Sequence, residues 1–391
     1  MGNSRRDFLK KGASLAALSA AVGLGAGACT TRSGGSSDGS QETDDFDLNA
    51  SVNWPVTERE DTPKLAMYDG RSEAGIRRVK QLGVTHIMSG VGGTPWNADE
   101  IRQVRERLEA EGLTLCQMYI GGFNDVIYGR DGAEEQIENV KQSLRAAGEA
   151  GLPMVEYNWY AHRLTEGYYE MEGRGGSGYT AYDYDRVRDL PPDPEVGTHT
   201  AEELWDRLTY FLNEVIPVAE EAGVRMSVHP NDPPAPQSRG NDQILASFED
   251  WKRLLNIVES PYNGMTCHSG VTRELGVDPV EVVRYMGERD QINHVHYRNV
   301  IVEEPQHKYA EVFPDNGESD MFAFMRELIR QGYTGSVYPE HPRAIDYDRT
   351  HPDGITGGYA DVGGGGHAGL IYNLAYARAM LQAALIAEGK V

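Results

Sequence analysis

Short apolar runs alternate with longer amphipathic stretches along most of this chain. The stretches have apolar residues at helical spacing, and several end in a glycine just before the next run, as helices commonly do. A last helix is predicted from about Gly369 to Glu388. The runs of strand length are KLAMYD (64–69), THIMSG (85–90), LTLCQMY (113–119), MVEYNW (154–159), RMSVHP (225–230), GMTCHS (264–269), INHVHYRNV (292–300) and GSVYPEH (335–341).

Eight strand–helix repeats predict an α/β fold, a single (β/α)8 TIM barrel over residues 63–391. An open doubly wound sheet is the competing architecture, but no glycine-rich phosphate loop follows the first strand. The longest insertion, at about 161–200, follows the fourth strand and is rich in Tyr, Gly and Asp. It is interpreted either as a lid over the catalytic mouth or as a mobile surface excursion.

The N-terminus has the pattern of an export signal. Arg5 and Arg6 precede an alanine-rich apolar run that is too short to span a bilayer, which predicts a twin-arginine signal over residues 1–29. A polar, flexible and disordered linker is predicted for residues 30–62. The twin-arginine export machinery is therefore an expected partner, and the protein is expected in the periplasm or at the cell surface. A lipid anchor at Cys29 and ordinary signal cleavage near Ala28 both stay open.

Composition narrows the classes of partner. The formal net charge of -23 argues against nucleic acid and anionic membrane surfaces, because both would repel the chain. Any membrane contact is therefore expected only through an anchor at Cys29. Cys116 and Cys267 lie in strand-like runs and are predicted to be reduced core residues. The pattern does not decide between a monomer and a homo-oligomer.

Three histidines and one glutamate lie at or near the C-terminal ends of successive runs. They are His229, His268, His296 and Glu340. The C-terminal strand ends of a (β/α)8 barrel meet at one mouth, where catalytic residues are found. Imidazole and carboxylate groups placed there are typical ligands of a divalent metal ion. The pattern therefore predicts a metal-dependent enzyme with these four side chains as ligands. His294 has the same strand parity as His296 but lies farther from the rim, so it is interpreted as a barrel-interior residue or a support for the ligand.

The order of several motifs is similar to that of the mannonate dehydratases, a family of the xylose isomerase-like barrel superfamily. The resemblance extends from about Pro63 to the C-terminus. The segments that carry it are VEYNWY (155–160), VHPNDPP (228–234), NGMTCHSG (263–270), HVHYRNV (294–300), SDMFAFM (319–325), YPEHPR (338–343) and GGY (357–359).

This resemblance implies the same metal ligands and shows two departures from the family. His268 stands where the family has a cysteine, and Glu340 stands where it has an aspartate. Cys267 precedes His268 on the same strand and points to the opposite face, so only one of them can reach the metal. The resemblance places His268 at the position of the family's ligand, and His268 is therefore favoured. A site of three imidazoles and one carboxylate favours a divalent ion, with Mn²⁺ or Fe²⁺ ahead of Mg²⁺, Zn²⁺ or Ni²⁺.

The resemblance also implies an activity: dehydration of a sugar acid, D-mannonate to 2-dehydro-3-deoxy-D-gluconate. His341 and Tyr359 correspond to the family's acid–base pair, and which of them is the base stays open. Arg298 is interpreted either as a grip on the substrate carboxylate or as a structural ion pair at the barrel rim. Two alternatives to the hydro-lyase are kept: an isomerase or epimerase of the same superfamily, and a non-catalytic exported protein that binds sugar acids.

Overall fold

The computed structural model describes residues 52, 54–68, 70, 72–90, 92–351 and 359–391. The predicted export signal, Cys29 and the linker up to residue 51 lie outside the described residues. The last part of the predicted linker, 54–62, packs against the barrel: Val56 and Thr62 are buried. The carbonyl oxygen of Val56 accepts a hydrogen bond of 2.9 Å from Gln382, on the last helix of the chain.

The strands of the described residues form one closed barrel and two small antiparallel sheets. In chain order they are β1 (Lys64–Tyr68), β2 (His86–Ser89), β3 (Thr114–Tyr119), β4 (Met154–Asn158), β5 (Tyr168–Glu172), β6 (Gly178–Asp183), β7 (Arg225–His229), β8 (Gln237–Ser238), β9 (Asn241–Asp242), β10 (Asn263–His268), β11 (Ile292–His296), β12 (Asn299–Glu304), β13 (Lys308–Val312) and β14 (Ser336–Tyr338).

The barrel contains β1, β2, β3, β4, β7, β10, β11 and β14, in that order around the ring, and all neighbours are parallel. Seven of these strands lie within a predicted run, and β10 begins one residue before its run, which confirms the (β/α)8 barrel and excludes the open sheet. Closure brings the C-terminal ends of all eight strands to one rim.

Helices fill the stretches between the strands. They are α1 (Glu73–Gln81), α2 (Ala98–Glu109), α3 (Asn124–Tyr128), α4 (Ala133–Glu149), α5 (Ala201–Ala222), α6 (Phe248–Leu255), α7 (Ser269–Glu274), α8 (Pro279–Gly287), α9 (Met321–Arg330), α10 (Asp346–Thr350) and α11 (His367–Ala387). The predicted glycine stops are confirmed at Gly83, Gly112 and Gly223, whose φ angles of 65°, 75° and 69° suit glycine at a helix end. By length and composition α11 could cross a membrane, but it supplies the eighth helix and buries Leu374 and Leu381.

A second sheet lies outside the barrel and was not predicted. The run INHVHYRNV is not one strand, because β11 ends at His296 and a separate strand, β12, begins at Asn299. β12 pairs with β13, and β13 pairs with β6, which in turn pairs with β5, all antiparallel. The insertion 161–200 thus supplies half of a four-stranded sheet, here called the cap sheet. Two strands from the insertion and two that follow β11 hold each other in place, so the insertion is built into the structure.

Strand parity decides which side chains reach the mouth. Cys267 packs in the main apolar core between strands and helices, whereas His268 faces the other way. Both Cys116 and Cys267 are buried free thiols, as predicted. His294 is also confirmed in the barrel interior: its side chain is buried, and its Nδ1 lies 2.7 Å from Ser336 Oγ.

Candidate active site

The structure brings the four predicted ligands together at the C-terminal rim. His229, His268 and His296 are the last residues of β7, β10 and β11, and Glu340 follows β14 by two residues. The imidazole centroids form a nearly equilateral triangle, with separations of 5.2, 4.9 and 5.0 Å. Ligand atoms of these three histidines all lie within 4.8 Å of one another. A single cation is therefore within reach of all three rings.

Glu340 completes the group. Its Oε1 lies 2.9 Å from His268 Nε2, and its Oε2 lies 3.3 Å from His296 Nδ1. Despite this closeness, Glu340 Oε1 and His268 Nε2 are buried and have no hydrogen-bond partner among the described residues. Buried polar atoms without partners are costly. Three imidazoles and a carboxylate converging on one point, with two such atoms, fit a divalent metal ion.

Neighbouring groups orient each ring. His229 Nδ1 donates to the carbonyl oxygen of Pro230 at 2.7 Å, which leaves Nε2 facing the site. The backbone N–H of Val271, in the first turn of α7, lies 3.3 Å from His268 Nδ1 and points Nε2 toward Glu340. Binding of a cation at Nε2 requires the tautomer with the proton on Nδ1, so the contact with the Val271 N–H must then be given up. His296 Nε2 lies 3.6 Å from Glu156 Oε1.

Burial and charge set the protonation states of the ligands. Burial and the neighbouring imidazoles of His296 and His268 hold the pKa of His229 well below its ordinary value. Burial and Arg298 lower the pKa of His268 to about 4. Burial works against ionisation of Glu340, but His341, His296 and Arg298 hold its pKa well below the ordinary value. Burial opposes a charge on His296, but the carboxylates of Glu340 and Glu156 raise its pKa above the ordinary value. Near neutral pH His229 and His268 are therefore neutral rings, and Glu340 is an ionised carboxylate.

His341 and Tyr359, the predicted acid–base pair, are neighbours beside the four ligands. Their ring centroids are 4.6 Å apart. His341 Nε2 lies 3.2 Å from Glu340 Oε2, and His341 Nδ1 lies 3.0 Å from Glu311 Oε2. Tyr359 is described, whereas the rest of the predicted GGY motif lies outside the described residues.

The backbone at His341 is in an uncommon conformation. Its φ is +41°, in the left-handed region that non-glycine residues rarely adopt. Arg343 holds this turn, because its Nε and Nη2 donate to the carbonyl oxygen of His341 at 3.1 and 3.0 Å. Strained residues of this kind concentrate at functional sites. The turn directs His341 to the same side as Glu340, although the two are consecutive.

Arg298 is not placed to bind the carboxylate of a substrate. Its side chain is 1% exposed and forms ion pairs with four carboxylates. The nearest oxygens belong to Glu274 at 2.6 Å, Asp232 at 2.9 Å and Glu311 at 3.1 Å. Its Nε has no hydrogen-bond partner among the described residues, but it is buried, so a substrate cannot reach the guanidinium. The structure thus favours the ion-pair interpretation of Arg298 over the carboxylate grip.

Sequence reasoning missed four residues of the site. Asp232 and Glu311 hold Arg298, Glu156 lies behind His296, and Arg163 lies at the mouth. Position along the chain gave a usable signal for two of them, because Asp232 follows His229 by three residues and Arg163 follows β4 by five. Glu311 gave none, because it belongs to the cap sheet, whose pairing is set by tertiary contacts.

A cavity of about 150 Å³ opens beside the ligands. Its lining includes ligand residues, the acid–base candidate His341 and one arginine, and consists of Tyr119, Glu156, Asn158, Tyr160, Arg163, His229, Asp232, Glu340 and His341. The cavity mixes hydroxyl, amide, carboxylate and imidazole groups, and its lining has little apolar surface. Such a lining suits a small polyhydroxylated ligand.

Comparison with known proteins assigns the family. The family model described as D-mannonate dehydratase (UxuA) matches residues 64–200 and 195–364. The chain belongs to the mannonate dehydratase family. Mannonate dehydratase of Thermotoga petrophila is 31% identical over 319 residues, covering 71% of this chain and 88% of that protein. The crystal structure of mannonate dehydratase from Streptococcus suis serotype 2 matches with a TM-score of 0.73 and 26% identity, covering 84% of this chain and 96% of that one.

Sugar epimerases share the fold at greater distance. D-psicose 3-epimerase from Clostridium cellulolyticum H10, solved with D-tagatose, has a TM-score of 0.51 and 14% identity, covering 81% of this chain and 99% of that one. This likeness shows the xylose isomerase-like barrel only. Membership of the mannonate dehydratase family makes the chain a hydro-lyase and confirms that prediction over the isomerase alternative.

Proposed function

We propose that this protein is a metal-dependent dehydratase that converts D-mannonate to 2-dehydro-3-deoxy-D-gluconate and water. The observation that carries the proposal is the group of three imidazoles and Glu340, placed directly beside His341 and Tyr359. Metal ligands and an acid–base pair at one mouth are what removal of water from a sugar acid requires. The relatives named mannonate dehydratase support this substrate.

His229, His268, His296 and Glu340 would hold the metal ion. When bound, it supplies Lewis-acid stabilisation of the negative charge that develops beside the substrate carboxylate, typically several kcal/mol. The donors are nitrogen and oxygen, with His268 in place of the thiolate implied by the family resemblance. This ligand set favours Mn²⁺ or Fe²⁺, and it accepts Mg²⁺, Zn²⁺ or Ni²⁺ less readily.

His341 is proposed as the base. Arg298 Nη1 lies 2.9 Å from His341 Nδ1, but its two N–H groups are directed to Asp232 at 2.9 Å and Glu311 at 3.1 Å. Ionised carboxylates are stronger acceptors than a neutral imidazole. His341 Nδ1 therefore carries a proton and donates it to Glu311, 3.0 Å away. In the neutral form of the ring, Nε2 then holds the lone pair that can accept a proton from substrate.

Tyr359 is proposed as the acid. Burial raises the pKa of Tyr359 above its ordinary value, although the guanidinium of Arg163 opposes this. The phenol therefore stays protonated at neutral pH. Arg163 Nη2 donates to the Tyr359 hydroxyl oxygen at 2.7 Å, so the phenol proton is free to point elsewhere. Tyr359 is thus a proton donor.

The reaction is then a β-elimination. His341 Nε2 takes the proton from C2, and the C–H electron pair forms the C2–C3 double bond. The C3–O bond breaks, and the hydroxyl leaves as water with the proton of Tyr359. The enol so formed loses its O–H proton at the C2 oxygen and gains a proton at C3, which gives the 2-keto-3-deoxy acid.

The test is turnover by the metal-loaded protein. Purified protein is stripped with a chelator, reloaded with Mn²⁺ or Fe²⁺, and incubated with D-mannonate and other hexonates. Formation of a 2-keto-3-deoxy acid supports the proposal. Exchange of substrate protons with solvent on a keto sugar, without dehydration, would identify an isomerase instead. Tight binding of sugar acids without turnover under every metal condition would leave a binding protein.

We also propose that the enzyme acts after export to the periplasm or cell surface. Support comes from Arg5 and Arg6 and the apolar run that follows them. Cell fractionation of the wild type and of a chain with Arg5→Lys and Arg6→Lys tests this, because the twin-arginine route requires the arginine pair. Equal distribution of the two chains between fractions would contradict it. Extraction by detergent of wild type but not Cys29→Ser would add a lipid anchor.

A further inference from the structure

The cavity at the barrel mouth is an unfavourable place for an anion unless cations offset its carboxylates. Glu156, Asp232 and Glu340 all line it. A sugar acid brings a further carboxylate. Like charges at this distance in a partly buried site repel strongly. Binding of an acid therefore requires a cationic group of the protein in addition to the metal ion.

Arg163 is the permanently charged cation in the cavity lining formed by the described residues. It lies five residues beyond the end of β4, at the start of the insertion that carries the cap sheet. Its side chain is 33% exposed, compared with 1% for Arg298. Arg163 is thus open to a ligand where Arg298 is enclosed.

Hydrogen bonds fix the Arg163 guanidinium and leave one nitrogen unused. Nε donates to the carbonyl oxygen of Asp232 at 2.6 Å, and Nη2 donates to the Tyr359 hydroxyl at 2.7 Å. Nη1 has no hydrogen-bond or ion-pair partner within the described part of the chain. A guanidinium held on one edge and free at Nη1 is preorganised for a carboxylate oxygen.

We propose that Arg163 binds the carboxylate of the substrate and selects acids over neutral sugars. This inference rests on the proposed dehydratase function. It assigns the recognition of the acid to the insertion and the cap sheet, while the barrel strands supply the metal ligands. Because Arg163 also donates a hydrogen bond to Tyr359, it places this proton donor next to the substrate carboxylate.

The test separates recognition of charge from turnover. The probes are a 3-deoxy sugar acid, which lacks the leaving hydroxyl and is not dehydrated, and its neutral primary amide. Both are titrated calorimetrically into Mn²⁺-loaded wild type, Arg163→Met, Arg163→Lys and Arg186→Met. Arg186 is an exposed arginine of the same insertion whose guanidinium lies over Tyr169, away from the cavity, so it is the matched control.

Wild type and Arg186→Met are expected to bind the acid more tightly than the amide. Arg163→Met is expected to lose roughly 10- to 100-fold in affinity for the acid, with little change for the amide, because a charge-assisted hydrogen bond is lost. Arg163→Lys is expected to retain part of the preference for the acid over the amide, because it keeps the positive charge but lacks the planar guanidinium with its paired N–H donors. Mn²⁺ content and the circular dichroism spectrum confirm that each variant is folded and loaded.

Each result points to one claim. An unchanged preference for the acid in folded Arg163→Met and Arg163→Lys, with wild type active on D-mannonate, overturns the role of Arg163 and leaves the dehydratase intact. Wild type that neither binds the acid nor dehydrates any hexonate overturns the proposed function instead. If Arg163→Met does not fold, the Arg163→Lys titration decides alone: a full wild-type preference in it contradicts the proposal.

Discussion

Arg298 and Arg163 lie at the same barrel mouth but belong to different regions, and they differ in exposure and in the number of groups that they bind. Arg298 extends from the barrel rim just after β11 and is enclosed by four carboxylates. Arg163 comes from the insertion that carries β5 and β6, and its Nη1 has no partner among the residues that the structure describes. Arg298, on the barrel rim, thus holds the carboxylates of the site together, whereas Arg163, on the insertion, is partly exposed to solvent. Both residues are arginines at the same rim, so residue type alone does not define their roles. The difference lies in how many groups of the protein each guanidinium already binds.

The largest effect is expected from breaking the metal site on the rim. His229→Ala removes one of the three imidazoles, and the metal content should fall to near zero. Activity should fall by about 1,000-fold or more, because Lewis-acid stabilisation of several kcal/mol is lost. Metal analysis and kcat measure both. The matched control is His86→Ala, since His86 begins β2 and lines a cavity at the opposite end of the barrel. Equal loss of metal in both variants would contradict the assignment.

The next effect separates the acid–base pair from the ligands. His341→Asn and Tyr359→Phe should each lower kcat by about 100- to 10,000-fold, the usual contribution of general acid–base catalysis. Metal content should stay at the wild-type level, because neither residue is among the ligands. The pH profile should lose a different limb in each variant if one group is the base and the other the acid. Activity within a few-fold of wild type in either variant would remove that residue from the mechanism.

Arg298→Met tests whether Arg298 stabilises the fold through its ion pairs. It removes the nearest cation from buried Asp232 and Glu274, whereas Glu311 keeps Arg343 at 2.8 Å, and breaking a buried ion pair typically costs about 3–5 kcal/mol. The free energy of unfolding, from urea denaturation, should fall by that amount. Arg163→Met, whose arginine is partly exposed, should change stability much less. A stable Arg298→Met protein with a raised KM for the sugar acid would instead restore the carboxylate grip as its role.

The barrel and the clustering of the four predicted ligands were accessible to sequence reasoning because each rests on a local pattern. Strand-length runs repeat eight times, several helices end at a glycine, and the polar residues that interrupt the runs near their ends stand out. Strand parity indicated that only one of His268 and Cys267 faces the mouth, the family resemblance favoured His268, and in the structure His268 is the one beside Glu340. These features depend on positions close together along the chain.

The cap sheet was missed because its pairing is not local. β6 pairs with β13, which lies more than a hundred residues later, and no turn signal joins them. The run INHVHYRNV was interpreted as one strand, because it contains no glycine or proline to mark the junction between β11 and β12. The role of Arg298 was undecidable for the same reason: Asp232 and Glu274 come from other segments. Long-range partners decide whether a charged side chain is enclosed or available.

The smallest effect probes the contact between the cap sheet and the rim. Tyr168, on β5, donates to Asp232 Oδ1 at 2.8 Å, and the carbonyl oxygen of Asp232 in turn holds Arg163. The Tyr168 hydroxyl also lies 3.1 Å from the Tyr309 hydroxyl. Tyr168→Phe should therefore lower the free energy of unfolding by about 1–3 kcal/mol, the usual value of two hydrogen bonds. KM for D-mannonate should rise a few-fold, because Arg163 loses part of its support, and kcat should change less, because the hydrogen bond of Arg163 to Tyr359 stays in place.

The matched control for Tyr168→Phe is Tyr182→Phe in the neighbouring strand. The hydroxyl of Tyr182 is buried without a hydrogen-bond partner among the described residues, so its removal should not destabilise the protein. Its ring stacks on Tyr309 in either case. If both variants behave alike in stability and KM, the cap sheet supports Arg163 by packing alone. A KM that rises only in Tyr168→Phe shows that the hydrogen bond between Tyr168 and Asp232 helps to position Arg163 for the substrate.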